Sequence, residues 1–583
     1  MKRLHYLALI GAIALGTALR FWNLDAKPLW LDEVITAIFS FGRSYYDVPL
    51  NVLFPHYVLD QVFTLKAGVS CPQIVQTVST ESVHPPLFFC LLHSWLQWIS
   101  PLAQSWVWKL RSLPALFGVG VIIAIYCLNR VAFSPGAGLM GAALMSVSPF
   151  AVYLSQEARH YTLPMLLITL ALLGLVQIQQ DLGQSRRLRP LPWLGWILVN
   201  AFGFYIHYFF LLAFVAQAVT LVSLNVWQRQ RSRYHWGAIA LAIFGVGLSY
   251  LPWLPTLLSH TGRPETDWLS PFQPSWLDKL APLYQLPAAW LIMVVSFPVE
   301  NQPLWIAIPA ALLMLVFAVW FVRQVSRGLK QLWREPETHL ATITLASFIL
   351  CVLLEFLGIV YVLGKDITVV PRYNFVYYPA VCALLGASLT QLSQSSSLPP
   401  KVSWFHYWSA YRAQMSVLLV GLLSCIFLGL GFIFQKPYQP QQVAQNLMLE
   451  PTKPLVVIAG YDTLLEIALG LSFDLAVHRR SLVSPEPTEN IYFGFFSRQP
   501  TYNQLWQNLA KAESPVPAPL NLWVVGSGLR RQEFPEQLSL PSQSGTGVGT
   551  EASTGTGAAT CDRDQENYHR IGVPYQRYRC AER

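Results

Sequence analysis

Two adjacent carboxylates stand out in the stretch "KPLWLDEVITAIFS", which places Asp32 next to Glu33 a few residues beyond an apolar segment of membrane-spanning length. Carboxylates are costly near lipid, and a plain connecting loop does not need two of them. A carboxylate at the membrane surface can act as a general base on an attacking hydroxyl group. The pair therefore predicts catalysis at that surface.

Four further segments, "HPP", "SQEARHYTL", "YIHYFF" and "KDITVVPRYNF", carry rings and cations suited to holding a phosphate headgroup. The guanidinium of Arg372 offers the bidentate contact that a phosphate favours, with Arg159 and Lys365 as alternatives. Any one of these side chains alone is more often an interfacial anchor, and Arg372 could also pair with a carboxylate. The candidate binding residues are His84, Glu157, Arg159, His160, Tyr161, His207, Lys365, Arg372 and Tyr373.

The composition is that of a polytopic membrane protein. Of 583 residues, 54% are hydrophobic and 12% are charged, whereas about a quarter of an ordinary soluble protein is charged. The chain also has 21 Trp, 25 Tyr and 32 Phe, ring types that settle at membrane interfaces. The basic residues behind the net charge of +9 lie in short loops between apolar runs, which indicates topology signals and argues against a nucleic-acid partner.

Apolar runs of about 20 residues, the length that crosses a bilayer as a helix, predict about eleven transmembrane spans. Lys and Arg gather in alternate connections, so the positive-inside rule places the N-terminus in the cytoplasm and the C-terminus outside. The first span is an uncleaved helix ending on Arg20, Phe21 and Trp22, which we interpret as an interfacial anchor. The predicted spans are 4–22, 107–128, 136–154, 161–179, 192–208, 210–227, 237–257, 303–322, 340–361, 374–392 and 415–434.

The first external loop, residues 23–106, holds the acidic pair and the "HPP" segment. Its apolar part, 84–100, is short and opens with prolines, and counting it as a span would put the Arg-rich loops outside. We therefore predict a helix lying in the interface. Asp32 is predicted at the N-cap or in the first turn of a helix through Ser40, and simple capping is the alternative to catalysis. Adjacent helical residues point about 100° apart, so one carboxylate should face the reacting centre while the other binds a metal, the substrate or a basic group.

Hydropathy falls after the last span, and residues 436–583 are predicted to form a small external α/β domain. Residues 453–460 and 521–528 are typical of buried strands, and 462–473 of an amphipathic helix. Residues 542–560 have the composition of a flexible segment. We expect this domain to be accessory rather than catalytic, because its charged residues form no recognisable set.

The chain has eight cysteines. Four of them lie in predicted spans and are most simply small apolar core residues. Cys561 and Cys580 bracket a polar stretch of the tail, and on an oxidising external side we predict a disulfide bond between them. No Cys/His spacing resembles a zinc site, and a divalent metal ion held by Asp32 or Glu33 stays an open alternative.

The order of "LWLDE", "HPPL", "RSLPALFG", "SQEARHYTL" and "PRYNF" over residues 1–435 resembles the GT-C membrane glycosyltransferases. The similarity is to the family 39 type group, which is related to protein mannosyltransferases and the bacterial lipid A aminoarabinose transferase. The resemblance implies a polyprenyl-phosphate sugar donor, reaction on the external face and interfacial helices in the first external loop. Its acidic motif falls on Asp32 and Glu33, with the aspartate as the base, its proline element on 84–86 and its later arginine on Arg372. After the prolines the mannosyltransferase pattern continues with Gly-Lys, whereas this chain has "LFF".

The leading hypothesis is an inverting glycosyltransferase of the bacterial inner (plasma) membrane, with residues 1–435 as its catalytic domain. It would transfer a hexose or pentose from the lipid carrier to a lipid, glycan or protein acceptor on the periplasmic face. A flippase or transporter of lipid-linked sugars is the rival, but transporters place ionisable groups near the bilayer midplane and often have repeated halves. Here the spans hold few charges, Glu355 being the main exception. A scaffolding membrane protein would not require external charged clusters.

Overall fold

The computed structural model describes residues 2–183, 188–229, 232–263, 275–395, 404–482, 490–512, 518–543 and 556–581. Its helices are α1 (Lys2–Phe21), α2 (Leu31–Ser40), α3 (Cys71–Glu81), α4 (Leu87–Trp98), α5 (Trp106–Ala132), α6 (Pro135–Ser146), α7 (Pro149–Ser155), α8 (Thr162–Gly183), α9 (Pro190–Phe204), α10 (Phe210–Trp227), α11 (Arg233–Ser249), α12 (Leu254–Thr261), α13 (Trp276–Ile292), α14 (Leu304–Arg334), α15 (Pro336–Leu363), α16 (Tyr378–Ser395), α17 (Trp404–Gly429), α18 (Pro440–Leu447), α19 (Leu464–Ser481) and α20 (Tyr502–Ala510). Its strands are β1 (Leu53–Pro55), β2 (Leu455–Tyr461), β3 (Ile491–Ser497), β4 (Leu520–Val525), β5 (Gln537–Gln543), β6 (Thr556–Ile571) and β7 (Val573–Ala581).

The chain divides into two compact units. The spanning unit comprises Met1–Leu24, Val83–Phe88 and Ala103–Phe434. The second, the α/β unit, comprises Asp25–Ser82, Phe89–Leu102 and Gln435–Arg583. Most of the first loop therefore groups with the tail rather than with the spans.

The helices of the spanning unit are those of a polytopic membrane protein. Among the described residues, 8 helices are long and apolar enough to cross a membrane, or up to 9 if the bent pair α6 and α7 forms one span. Two shorter apolar helices, α9 and the first part of α16, coincide with the remaining predicted spans. Each predicted span thus lies on a helix, and the polytopic helical fold with a C-terminal sheet is confirmed. The number eleven stays a prediction.

Close helix packing in the spanning unit depends on small residues where the helices meet. Helix α5 packs against α6 and α8, and α16 packs against α6 and α14. A Cβ atom on Gly328 of α14 would lie 2.2 Å from the carbonyl oxygen of Ser388, so only glycine allows α14 and α16 this approach.

The break between α6 and α7 explains an unexpected burial of Arg20. The two helices are bent by 60°, because Ser148 caps α7 and Pro149 at its start has no N–H to continue the α6 pattern. The break leaves carbonyl groups at the end of α6, and the Arg20 guanidinium donates to those of Met145 at 2.9 Å and Ser146 at 3.4 Å. Arg20 is 0% exposed, so its interpretation as an interfacial anchor is wrong.

The α/β unit is built on one mixed sheet with the strand order β1-β3-β2-β4-β7-β6-β5. Strands β3, β2 and β4 are parallel, and α19 and α20 connect them as crossover helices. The predicted strands at 453–460 and 521–528 overlap β2 and β4 with shifts of one to three residues at their ends, and both strands are largely buried as predicted. The helix predicted at 462–473 begins later and runs on to Ser481, with basic residues in its last turn that suit a helix C-terminus.

The segment predicted to be flexible, residues 542–560, is described only at its two ends. Residues 542–543 complete β5 and residues 556–560 begin β6. Residues 544–555 lie outside the described residues. The two described ends of this segment are therefore antiparallel strands, in which Ser542 pairs with Gly557.

Part of the first loop adds an edge strand to this sheet. The short strand β1 pairs antiparallel with β3, with Leu53 opposite Gly494. Asn51 reinforces the pairing, since its side-chain oxygen accepts from the backbone N–H of Ser497 at 2.9 Å. Helix α2 packs against α19 of the same unit. The first loop and the tail therefore share one core.

Two loop helices compare directly with the sequence predictions. Helix α2 ends at Ser40 as predicted, but its N-cap is Trp30, so Asp32 lies in the first turn and does not cap the helix. Helix α4 begins directly after Pro86 within the segment predicted to be helical, at 84–100. Its location in the membrane interface stays a prediction.

Two disulfide bonds lie in the α/β unit. Cys561 on β6 and Cys580 on β7 are directly opposite each other and are bonded. A second bond, which the sequence analysis did not assign, joins Cys71 at the start of α3 to Cys90 in α4. The cysteines with free thiols are Cys127, Cys351, Cys382 and Cys425.

Protein purified without reductant should contain both bonds, because each pair is held side by side by its flanking secondary structure and disulfides persist in an oxidising compartment. Mass spectrometry of a non-reduced digest should recover the peptides of Cys71 and Cys90 linked, and likewise those of Cys561 and Cys580. The four cysteines of the spanning unit, alkylated after unfolding, serve as the internal control. Recovery of Cys71 and Cys90 in alkylated form would contradict the first pair.

Candidate functional site

The loops at one set of helix ends in the spanning unit bring together most of the predicted binding residues. The contributing segments are the "HPP" stretch before α4, the turn between α7 and α8, the turn between α9 and α10, and the short helix Pro371–Val376 before α16. The backbone N–H of Leu87 donates to the carbonyl of Tyr205 at 3.2 Å, which ties the first of these segments to the third. We call the resulting group of side chains the basic cluster; it is formed by His84, Arg159, His160, Tyr161, His207 and Arg372.

His84 and Arg159 are in direct contact. Nη2 of Arg159 lies 3.0 Å from Nε2 of His84. A guanidinium can only donate, so His84 must accept at Nε2 and carry its single proton on Nδ1. Burial, together with the positive charge of Arg159, lowers the pKa of His84 well below its usual value. His84 is therefore a neutral imidazole beside a fixed cation.

His160 occupies the centre of the cluster. Its ring centroid lies 5.3 Å from that of His84, 4.5 Å from that of His207 and 4.9 Å from that of Tyr161. The side chain is only 1% exposed, and neither ring nitrogen has a hydrogen-bond partner within the described part of the chain. Burial, the neighbouring His207 and Arg159 lower its pKa well below the usual range. His160 thus has one donor and one acceptor available to a ligand.

His207 is neutral for similar reasons. The backbone N–H of Phe209 donates to its Nδ1 at 2.9 Å, which places the imidazole proton on Nε2. Burial and, after it, the charge of Arg159 lower the pKa of His207 to about 3. The three histidines therefore contribute hydrogen-bonding groups to the cluster and no charge at neutral pH.

Arg372 enters the cluster through Tyr161. Its Nε donates to the hydroxyl of Tyr161 at 3.0 Å, and Tyr161 is itself 1% exposed. The turn that carries Arg372 is held by Asn374, whose amide donates to the carbonyl of Pro371 at 2.7 Å and whose oxygen accepts from the hydroxyl of Tyr377. The held backbone and the contact with Tyr161 keep the guanidinium fork within the cluster.

The remaining predicted binding residues lie on the same segments. Glu157 is 1% exposed and lies in the turn between α7 and α8, and its carbonyl accepts from the backbone N–H of Arg159 at 2.7 Å. Lys365 follows Gly364, the left-handed residue that ends α15. The ring of Tyr373 lies 5.8 Å from the guanidinium carbon of Arg372 and packs edge-on against Phe209.

The acidic pair belongs to the α/β unit, and its two members differ in environment. Asp32 is partly exposed, whereas Glu33 is 0% exposed. Oε2 of Glu33 lies 3.2 Å from Nζ of Lys436, and both side chains are buried. One carboxylate of the pair was expected to bind a metal, the substrate or a basic group, and Glu33 contacts a basic group. Asp32 is the member with access to solvent.

Two groups of polar residues escaped the sequence analysis. Lys436 lies just after the last span, and nothing in the sequence connects it with residue 33. The hydroxyl of Tyr208 contacts Nδ1 of His260 at 2.6 Å, next to the turn that holds His207, and burial raises the pKa of Tyr208 to about 12. Tyr208 lies in the string "YIHYFF", which the sequence analysis selected for His207. No local pattern in the sequence indicates His260.

No group of three or more His, Cys, Asp or Glu side chains suited to holding a metal ion occurs among the described residues. The rings of His84 and His207 each pack against the ring of His160. Asp32 and Glu33, the carboxylates that the sequence analysis left as alternative ligands of a metal, belong to no such group within the residues that the structure describes.

Residues 83–250 match the protein family described as dolichyl-phosphate-mannose-protein mannosyltransferase. This range includes every member of the basic cluster except Arg372. The resemblance to the GT-C membrane glycosyltransferases is thereby confirmed, and with the apolar helices it identifies an integral membrane protein. A comparison with curated proteins gives no match.

The similar solved structures include ArnT and an archaeal oligosaccharyltransferase. ArnT from Cupriavidus metallidurans in the apo state is 13% identical, with 91% of this chain and 94% of that chain covered and a TM-score of 0.48. The same protein bound to undecaprenyl phosphate gives 13% identity, coverages of 89% and 93%, and a TM-score of 0.45. The apo oligosaccharyltransferase of Archaeoglobus fulgidus gives 12% identity, coverages of 90% and 70%, and a TM-score of 0.47.

The lowered histidine pKa values predict a pH-dependent stability. In the unfolded chain a histidine takes up a proton near pH ~6.5, whereas folded His207 does so only near a pKa of about 3. Between these values the unfolded state binds more protons, so the protein should lose stability as the pH falls below ~6.5. Thermal melts in detergent between pH 8 and pH 4.5 should show this loss, and His207→Asn should reduce it.

His339→Asn is the matched control, because His339 lies on α15 outside the basic cluster and is partly exposed. Its melting temperatures should follow those of the parent across the same pH range. Equal pH dependence in the parent and in His207→Asn would show that His207 is not buried as a neutral ring.

Proposed function

We propose that this membrane protein, whose residues 83–250 match a family of lipid-phosphate-dependent mannosyltransferases, transfers a sugar from a polyprenyl-phosphate carrier to an acceptor hydroxyl with inversion. The basic cluster is the observation that carries the proposal. Two guanidinium groups, those of Arg159 and Arg372, stand among buried imidazoles that are uncharged at neutral pH. Such a site favours an anion with several oxygen atoms, and a phosphate is the anion that a lipid-linked sugar presents.

The charge balance of the reaction explains why cations are useful here. The donor is a phosphodiester with one negative charge, and the leaving carrier is a phosphate monoester that gains a second one. As the bond between the anomeric carbon and the phosphate oxygen breaks, its electron pair moves to that oxygen. Arg372 and Arg159 stabilise the growing charge more in the transition state than in the bound donor. His160, with an unused ring nitrogen that can donate, adds a hydrogen bond to a phosphate oxygen.

Asp32 is the proposed general base. Its carboxylate takes the proton of the acceptor hydroxyl while the acceptor oxygen forms the new bond to the anomeric carbon, on the face opposite the departing phosphate. One displacement of this kind inverts the configuration. The partly exposed position of Asp32 in the first turn of α2 supports this role, whereas the burial of Glu33 against Lys436 does not suit a group that must meet an acceptor.

The sugar is a hexose or pentose, and the acceptor is a lipid, a glycan or a protein. In the topology predicted from the Lys and Arg distribution, the reaction takes place on the periplasmic face of a bacterial inner membrane. ArnT, one of the similar structures, binds undecaprenyl phosphate, and a carrier of that kind is the donor that we propose to test first. A flippase for lipid-linked sugars remains the rival function.

The test is reconstitution in liposomes with a panel of undecaprenyl-phosphate and dolichyl-phosphate sugars, each supplied with a lipid, a glycan and a peptide acceptor, following loss of sugar from the carrier. The parent should release the carrier phosphate from at least one donor. Asp32→Asn should fold normally, because Trp30 rather than Asp32 caps α2. It should lose turnover by about a hundredfold or more, the usual contribution of a general base.

Asp47→Asn is the matched control, since Asp47 is an exposed carboxylate of the same loop whose oxygen accepts a backbone N–H that an amide oxygen can also accept. It should leave turnover unchanged. If no donor loses its sugar while intact lipid-linked sugar exchanges across the bilayer, the protein is a flippase. If Asp32→Asn is fully active, Asp32 is not the base.

Arg372→Lys tests phosphate recognition separately. Lysine keeps the charge but loses the fork and the contact with Tyr161. Loss of a charge-assisted hydrogen bond costs about 1.5–3 kcal/mol, so affinity for undecaprenyl phosphate should fall roughly ten- to a hundredfold. Arg412→Lys, at an exposed position of α17, should bind like the parent. Unchanged binding by Arg372→Lys would move phosphate recognition to Arg159 or Lys365.

A further inference from the structure

The buried carboxylate of Glu33 has its cation on a distant part of the chain. Glu33 is 0% exposed, and the side chain of Lys436, 3.2 Å away, is 8% exposed. A charge withdrawn from water is strongly unfavourable unless an opposite charge and hydrogen bonds replace the lost hydration. The two groups are therefore held together far more firmly than an exposed pair such as Lys453 and Glu450, where the side chains are 44% and 32% exposed.

The backbone that carries Lys436 is itself fixed. Tyr438 has a left-handed φ of 62°, and its ring packs on Gly572 in the turn between β6 and β7. A Cβ atom added to Gly572 would lie 2.4 Å from Cδ1 of Tyr438. Gln439, with a φ of 39°, then begins α18. Lys436 thus projects from a segment anchored to the sheet and is not a mobile side chain on a flexible tail.

The first turn of helix α2 carries the acidic pair. Its N-cap residue, Trp30, makes no side-chain capping bond, and Asp32 and Glu33 are both in that turn. Adjacent residues of a helix are separated by about 100° of rotation. Fixing the Glu33 carboxylate therefore fixes the direction in which Asp32 is presented.

We propose that Lys436 is a positioning residue for Asp32, acting through its ion pair with Glu33; this inference rests on the proposed function. Glu33 then serves neither as a base nor as a metal ligand, because its charge is neutralised within the α/β unit. The tail takes part in catalysis by supplying Lys436. This differs from the expectation that the C-terminal domain is merely accessory.

Three variants of the full-length protein in liposomes test the role of Lys436, using the undecaprenyl-phosphate sugar that the parent turns over fastest. Lys436→Met should lower kcat by at least about tenfold, since small misplacements of a reacting group are costly, and leave KM within about twofold. Lys436→Arg keeps the charge and should recover most of kcat. Lys453→Met, at the exposed pair, is the matched control and should behave like the parent.

The double variant Glu33→Gln/Lys436→Met covers the case in which Lys436→Met fails to fold. It removes both charges of the buried pair, and replacing both members of a buried pair is often tolerated. We expect it to fold and still show the loss of kcat, because the restraint on α2 is gone. Parent-like kcat in this folded double variant would overturn the proposal, as would equal loss of kcat in Lys436→Arg and Lys436→Met.

Hydrogen exchange of the amides in α2 separates this inference from the proposed function. Lys436→Met should increase exchange in residues 31–40, whereas Lys453→Met should not. If the parent turns over no donor, the proposed function fails, and the exchange measurement still decides whether Lys436 holds α2. Unchanged exchange in Lys436→Met would refute that restraint.

Discussion

The constraint on which much of this molecule depends is that a charge removed from water needs a partner. Glu33 satisfies it with Lys436 and Arg20 satisfies it with the carbonyl groups at the end of α6. Removing one member of a buried pair typically costs about 3–5 kcal/mol, so each contact fixes the elements on either side of it. In the α/β unit those elements are the motif-bearing helix α2 and the start of the tail. In the spanning unit they are α1 and the broken pair of helices.

The basic cluster satisfies the same constraint in a different way. Its imidazoles avoid the cost of burial by remaining neutral, and two of them accept hydrogen bonds that a protonated ring could not accept. The positive charge of the cluster is thereby concentrated on two guanidinium groups. Such a site can be selective for an anion without depending on pH near neutrality, because the histidines titrate well below that range.

Local patterns were sufficient where a single segment determines the outcome. Long apolar runs located the helices of the spanning unit, short apolar runs located β2 and β4, and the end of α2 at Ser40 was predicted correctly. The resemblance of short motifs indicated a membrane glycosyltransferase, and the rings and cations of four short segments indicated the members of the basic cluster. These features depend on neighbours in sequence, which periodicity and motif order can report.

Features that join distant segments could not be predicted. Strand β1 has only three residues, and its strand character comes from β3 rather than from its own composition. Lys436 resembles any basic residue that follows a span, and only the fold brings it to Glu33. The bond between Cys71 and Cys90 likewise depends on how α3 and α4 pack, which spacing alone does not specify.

The pairing of β1 with β3 also has a consequence for biosynthesis. Asn51 and Ser497, which hydrogen-bond beside this pairing, are 446 residues apart in the chain. At ~5–20 residues per second, a ribosome needs about 20–90 s to make the intervening segment. During that time the nascent first loop exposes an unpaired strand, and for most of it Lys436 has not yet been made. A chain that terminates before residue 436 therefore lacks the cation of the Glu33 ion pair.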